Sequence, residues 1–167
     1  MCIRDRTYTF TPTDADEAVT IDVAAGAITD NAGNDNTAAA TQFAFTHDAT
    51  TPTLSTIAMS TSGNTGYAKS GDTITLTITA SEAVTGLTCT IDGETATMGG
   101  SGTSWTAALT ISGDETAGAA TFSCGSYSDA AGNAGSADTT ADSGSVTIDY
   151  SAPTPVSYTH LTLPTKA

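Results

Sequence analysis

The chain of 167 residues reads as all-β, built from sandwich-type repeats of about a hundred residues each. Three observations predict this. The first is an internal repeat: TDNAGNDNTAAATQFAFTHDATTP, Thr29 to Pro52, and SDAAGNAGSADTTADSGSVTIDYSAP, Ser128 to Pro153, follow one plan. Each places an Asp-x-Ala-Gly-Asn turn before a last strand, an acid and a proline. Asp30 and Asp129 lie 99 positions apart, and Pro52 and Pro153 lie 101 apart. The second is alternation of apolar with polar residues in short runs from Leu54 to Asp149, which also argues against disorder. The third is a composition rich in Thr, Ser, Ala and Gly, which favours strands and turns over helices.

The two ends read differently from the interior. Met1-Cys2-Ile3-Arg4-Asp5 can be encoded ATG TGT ATA AGA GAC, whose reverse complement encodes Val156-Ser157-Tyr158-Thr159-His160. The ends resemble one translated sequencing adapter read in both directions. Residues 1–6 and 156–167 are therefore set aside from fold reasoning. The rest divides into 7–50, the truncated C-terminal part of one repeat, and 51–155, a complete repeat. Setting the ends aside removes Arg4, Arg6 and Lys166 from four basic residues and only Asp5 from eighteen acids, leaving Lys69 against seventeen carboxylates. Such a surface repels nucleic acid and anionic membranes and attracts divalent cations. It also serves solubility with no specific ion. No apolar run is long enough to span a membrane as a helix.

In the first repeat Thr7–Thr11 alternates and reads as a strand, Asp14, Asp16 and Glu17 as a polar loop, Ala18–Val23 as a strand and Gln42–Thr46 as the last strand. Three strands cannot cover both sides of a sandwich. The second repeat starts with a strand at Leu54–Met59. Thr73–Thr79 is the clearest strand, with Ile74, Leu76 and Ile78 on one face and threonines on the other. Ser81-Glu82-Ala83 reads as a break and Val84–Ile91 as the third strand. Asp92-Gly93 is a hairpin signal before a short strand at Glu94–Met98, and Gly99–Gly102 reads as a flexible loop. Ser104–Ile111 places Trp105, Ala107 and Leu109 toward the core; Ala119–Cys124 and Val146–Asp149 complete seven strands. Seven short strands in this length predict an immunoglobulin-like seven-strand sandwich, preceded by the truncated part of another copy.

GDTITLTITASEAVTGL, then CTIDG, then SYSDAAGN, then IDYSAPT resembles the tandem immunoglobulin-like repeats of large bacterial surface adhesins, over Thr51–Pro155. The resemblance implies a rod of many copies, an extracellular or cell-surface place and no enzymatic activity. It also implies neighbouring repeats of the same chain as partners, calcium as the ion often held at junctions, and adhesive contacts that often lie in other domains. The chain departs from the pattern by its cysteine pair and by the lack of a dedicated ligand-binding insertion.

Catalysis has little material. His47 is the only histidine outside the set-aside ends and reads as an exposed strand-end residue beside Asp48, with no nucleophile placed by motif. Asp114 and Glu115 read as loop charges rather than a glycosidase pair. A cation site has more. In this sandwich the loop after the second strand, with Glu82, and the loop after the sixth, with Asp129, lie at the pole facing the preceding copy. The linker enters there with Asp48, and the preceding copy brings Asp14, Asp16 and Glu17. Calcium takes six to eight hard oxygens, so Asp48, Glu82, Asp129, Asp14 and Asp16 are its candidate ligands. A local use competes: Asp129 and Asp30 can cap their own turns, with Gly132 and Gly33 supplying positive φ.

With Cys2 set aside, the cysteines become a pair, Cys89 and Cys124, each alternating with apolar neighbours and so facing inward. Such a pair forms a disulfide in an exported domain or stays as two buried thiols. The whole reads as a spacer or stalk module. A ligand-binding adhesion domain, using Tyr67 or Tyr127 at a pole, and an accessory module of a secreted polysaccharide hydrolase are the alternatives.

Overall fold

The computed structural model describes residues 9–12 and 16–157. In the first repeat β1 (Glu17–Ile21) pairs antiparallel with β2 (Phe43–His47). The second repeat contains β3 (Leu54–Thr61), β4 (Tyr67–Ala68), β5 (Thr73–Val84), β6 (Thr88–Ile91), β7 (Glu94–Thr95), β8 (Thr97–Thr110), β9 (Gly118–Ala119), β10 (Phe122–Gly125) and β11 (Thr147–Ile148). One sheet has the order β3-β5-β8, and two further ladders have the orders β4-β11-β9 and β10-β6-β7. β9 and β10 are one strand interrupted at Ala120–Thr121, and β4 resumes the direction of β3 after a loop. Counted so, the repeat has the seven strands and the all-β sandwich that the alternation predicts.

The core lies between the sheets. Ile74, Leu76, Ile78 and Ala80 of β5 all point inward, as period-two alternation requires, and meet Cys89, Ile91, Phe122, Cys124, Val146 and Ile148, all buried, from the facing strands. Leu54 and Ile57 of β3 are both buried although three positions apart. A register shift between Leu54 and Thr56 makes this possible by turning the strand over once.

The structure corrects several local readings. Ser81–Ala83 does not break the strand: β5 continues to Val84, and the irregularity is a register shift against β8 between Thr79 and Val84. Gly99–Gly102 is no loop but part of β8, with Gly102 opposite Val84. Trp105 is only half-buried at the edge of the core, its Nε1 donating to the Gly102 carbonyl, while Ala107 beside it is fully buried. In the first repeat, Glu17 belongs to β1, and Thr9–Pro12 joins no ladder. Phe10 stands 99 positions before Leu109, whose ladder partner is Ile74 of β5; no strand equivalent to β5 faces Phe10 among the described residues. The set-aside residues 1–6 and 158–167 lie outside the described residues.

Candidate metal centre at the repeat junction

Three segments meet at the pole where the linker enters the second repeat. The first is the Asp-Ala-Ala-Gly-Asn turn. Ser128 anchors it by exchanging backbone hydrogen bonds with Thr85, at 2.8 and 3.1 Å. Asp129 Oδ1 then accepts from the backbone N–H of Gly132 at 2.7 Å and of Asn133 at 2.8 Å, while Oδ2 accepts from Asn133 Nδ2 at 2.8 Å. Gly132 takes φ 98°, which a side chain would resist. The motif Asp-Asn-Ala-Gly-Asn in the first repeat does the same: Asp30 Oδ1 accepts from Ala32 and Asn34 N–H, and Gly33 takes φ 87°. Turn capping is therefore a property of the motif in both copies. What differs is the setting, since Asp30 is exposed and Asp129 is only 4 % exposed.

The second segment is the end of β5. Glu82 shares the parity of Ile74, Leu76, Ile78, Ala80 and Val84, so the strand aims it along the inner face, half-buried between Ala80 and Val84. The third is the linker. Asp48 accepts from Thr50 N–H through its own Oδ1, and its backbone carbonyl accepts from Asn133 Nδ2 at 3.1 Å. One oxygen from each of Asp48, Glu82 and Asp129 lies within 4.8 Å of the others. Asp16 adds a fourth carboxylate nearby: its Oδ1 accepts from Ala49 and Thr50 N–H at 2.8 and 3.1 Å, and its Oδ2 from the Thr50 hydroxyl. Asp14 lies outside the described residues.

The electrostatics follow from this crowding. Burial, then the charges of Asp48, Asp129 and Asp16, push Glu82 above its ordinary 4.5. Burial would also raise Asp129, but its bonds from Asn133 and Gly132 outweigh that and lower it. The bonds from Thr50 and Ala49 bring Asp16 down to about 2. Two carboxylates are thus held ionised by N–H and O–H donors beside a third that is penalised for ionising.

Sequence reasoning missed two residues. Asn133 ties turn to linker, bonding both the Asp129 carboxylate and the Asp48 carbonyl; the matching asparagine at 34 was the available signal. Glu115, read as a loop charge, accepts from Ser112 and Gly113 N–H and from the Tyr150 hydroxyl. It stands 99 positions after Asp16, which also holds its linker, there by accepting from the Ala49 and Thr50 N–H groups. His47 also departs from expectation: it is half-buried in β2, opposite Glu17, with Nδ1 buried and unbonded. Tyr127 is buried, its hydroxyl donating to the Ser136 carbonyl, so of the two candidate pole aromatics only Tyr67, 56 % exposed, is free to meet a ligand. Cys89 and Cys124 stand directly opposite each other in the β6–β10 ladder and are joined, Sγ to Sγ, at 2.02 Å.

An all-β sandwich with acidic turns at one pole and a repeated linker defines a modular, immunoglobulin-type domain. The chain belongs to the bacterial Ig-like domain family, whose profile matches residues 48–148, from the linker aspartate to the last strand. Domains of this family are generally non-catalytic modules, structural or adhesin-type, and typically occur in extracellular or surface proteins. No curated protein matches the chain.

Proposed function

We propose that the chain is a non-catalytic spacer of a repetitive bacterial surface or secreted adhesin, with calcium stiffening the junction between its repeats outside the cell. The observation that carries this reading is the meeting of Asp48, Glu82 and Asp129, from linker, strand and turn, with carboxylate oxygens within 4.8 Å. The donor set fits a hard dication. Asp129 uses three acceptor positions on its own turn, and a carboxylate has about four. Burial and then mutual repulsion raise Glu82, and among the described residues no lysine or arginine relieves the repulsion, since Lys69 is in the turn before β5, at the opposite pole from Glu82. Calcium would supply the missing charge and tie three segments together. Asp16, through Thr50, would hold the linker in the orientation that presents Asp48.

Isothermal titration with calcium tests this. Asp48→Ala and Asp129→Ala should each weaken binding by roughly tenfold or more, because affinity follows the count of charged ligands. Asp92→Ala, in the hairpin of the opposite pole, should leave it unchanged. No calcium-dependent heat at about millimolar metal would remove the calcium part of the proposal.

The pH dependence has a defined sign. Of Glu82, Asp129 and Asp16, Glu82 takes up a proton first as pH falls, because it alone is raised. Calcium should therefore be lost as pH drops through the raised Glu82 range, before Asp129 is protonated. Without metal the effect of Glu82 reverses. The folded state binds its proton more readily than the unfolded chain, so metal-free stability gains a small term as pH falls through that range. The terms from Asp129 and Asp16 are lost only lower, as pH falls through their depressed values. Melting curves with and without calcium should converge as pH falls from neutral through the raised Glu82 range.

A further inference from the structure

The β1–β2 ribbon has two unlike faces. Pairing sets Glu17 opposite His47, Val19 opposite Phe45 and Ile21 opposite Phe43, so these six share one face. Ala18, Thr20, Ala44 and Thr46 share the other. The first face is apolar along most of its length, and Phe10 joins Val19, Ile21 and Phe45 around a groove on it. Phe43 is 62 % exposed, Phe10 60 % and Ile21 46 %. A sheet face of this kind normally lies against another layer.

The second repeat shows what covers the equivalent face. Its β9–β11 ladder sets Gly118 opposite Ile148, as β1–β2 sets Val19 opposite Phe45. Gly118 is 99 positions after Val19, the same offset as between the two turn motifs, and Val146 and Ile148 are each 103 after Phe43 and Phe45. Yet Val146 and Ile148 are 2 % and 1 % exposed. Two things cover them. β4 adds to the outer edge of β11 in parallel, Tyr67 beside Thr147 and Ala68 beside Ile148. The apolar face of β3 and β5 closes from the other layer. The outer edge of β2 has no such neighbour among the described residues. Ile28 repeats the contrast: it is 45 % exposed, whereas Tyr127, 99 positions on, is 4 % exposed.

We infer that the open edge and apolar face of β2 form a docking surface for the front half of an Ig-like repeat, supplied ahead of Thr9 in the same polypeptide. A short strand adds parallel to β2, and an alternating strand like β5 lays its apolar face over Phe43 and Phe45 and pairs with the segment around Phe10. The offset of 99 sets the register, since it carries Phe10 onto Leu109, the partner of Ile74. This does not depend on calcium.

The test compares the full chain with one in which a second copy of the sequence of residues 51–107 is joined directly ahead of Thr9. Hydrogen exchange of the β2 amides, Phe43 to His47, and binding of an apolar dye are read in both, with exchange of β5 in the second repeat reporting that the rest stays folded. The extension should slow β2 exchange by about tenfold or more and remove most dye binding. An extension carrying Ile74→Asp and Leu76→Asp in the added copy should do neither. Unchanged β2 exchange with the unmodified extension overturns the proposal. So does concentration-dependent dimerisation of the unextended chain that protects β2, because the occupant would then be a second copy in trans.

Discussion

Breaking the Cys89–Cys124 bond is expected to lower the stability of the second repeat by about 3–4 kcal/mol, and its melting temperature by roughly 15–25 °C. The bond closes a loop with a sequence separation of 35. That loop leaves β6, turns at Asp92–Gly93, passes through β7, crosses to the other sheet as β8 and returns through β9 to β10. The crosslink therefore restrains, in the unfolded chain, a segment contributing to both layers. Both cysteines are buried, at 2 % and 0 % exposure, so a reductant should reach them only when the β6–β10 ladder opens. The Cys89→Ala/Cys124→Ala variant should melt at the temperature of the reduced protein, to within the small cost of the lost sulfur volume. Equal melting temperatures for oxidised and reduced protein in a thermal scan would show that the bond contributes nothing. The bond also bears on the proposed spacer role, because a chain pulled by its ends could not extend the residues inside the closed loop.

The limits of the sequence reading have physical causes. β5 was legible because one face is buried along its whole length, which forces strict alternation from Ile74 to Ala80. β8 was legible only in its second half. Gly99 to Gly102 has the composition of a loop, yet the chain stays extended in β8, where Gly102 pairs with Val84 at the end of β5 and glycine accommodates the distortion. Gly100 takes φ 92°, and a Cβ there would run into the Ser104 carbonyl. Propensity yields to a partner strand in such a place. In the described part of the strand read at Thr7–Thr11, Thr9 to Thr11, the opposite holds: alternation is present, and no partner strand lies among the described residues. At the junction, the sandwich topology was enough to bring Asp48, Glu82 and Asp129 to one pole. It could not reveal that Asn133 joins the turn to the linker, because a side-chain amide bridging two segments leaves no periodic trace.

The register of β5 sets its pairing with both β3 and β8, and Leu76 is the position that reads it most directly. Leu76→Ala is expected to cost about 2–5 kcal/mol. Leu76 has no exposed surface and lies in the central strand, opposite Met59 of β3 on one side and Ala107 of β8 on the other. Both neighbours are fixed by their ladders, and Ala107 is too small to reach into the space left behind. The cavity should persist, which places the cost toward the upper part of that range. Thr77→Ala, one position along and on the exposed face, should change stability by no more than about 0.5 kcal/mol. Phe43→Ala removes a larger side chain, but one already 62 % exposed, and should leave the melting of the second repeat unmoved. Urea denaturation of the three variants separates these cases. A slip of one residue would exchange the roles of Leu76 and Thr77, so a costly Thr77→Ala beside a silent Leu76→Ala would refute the register.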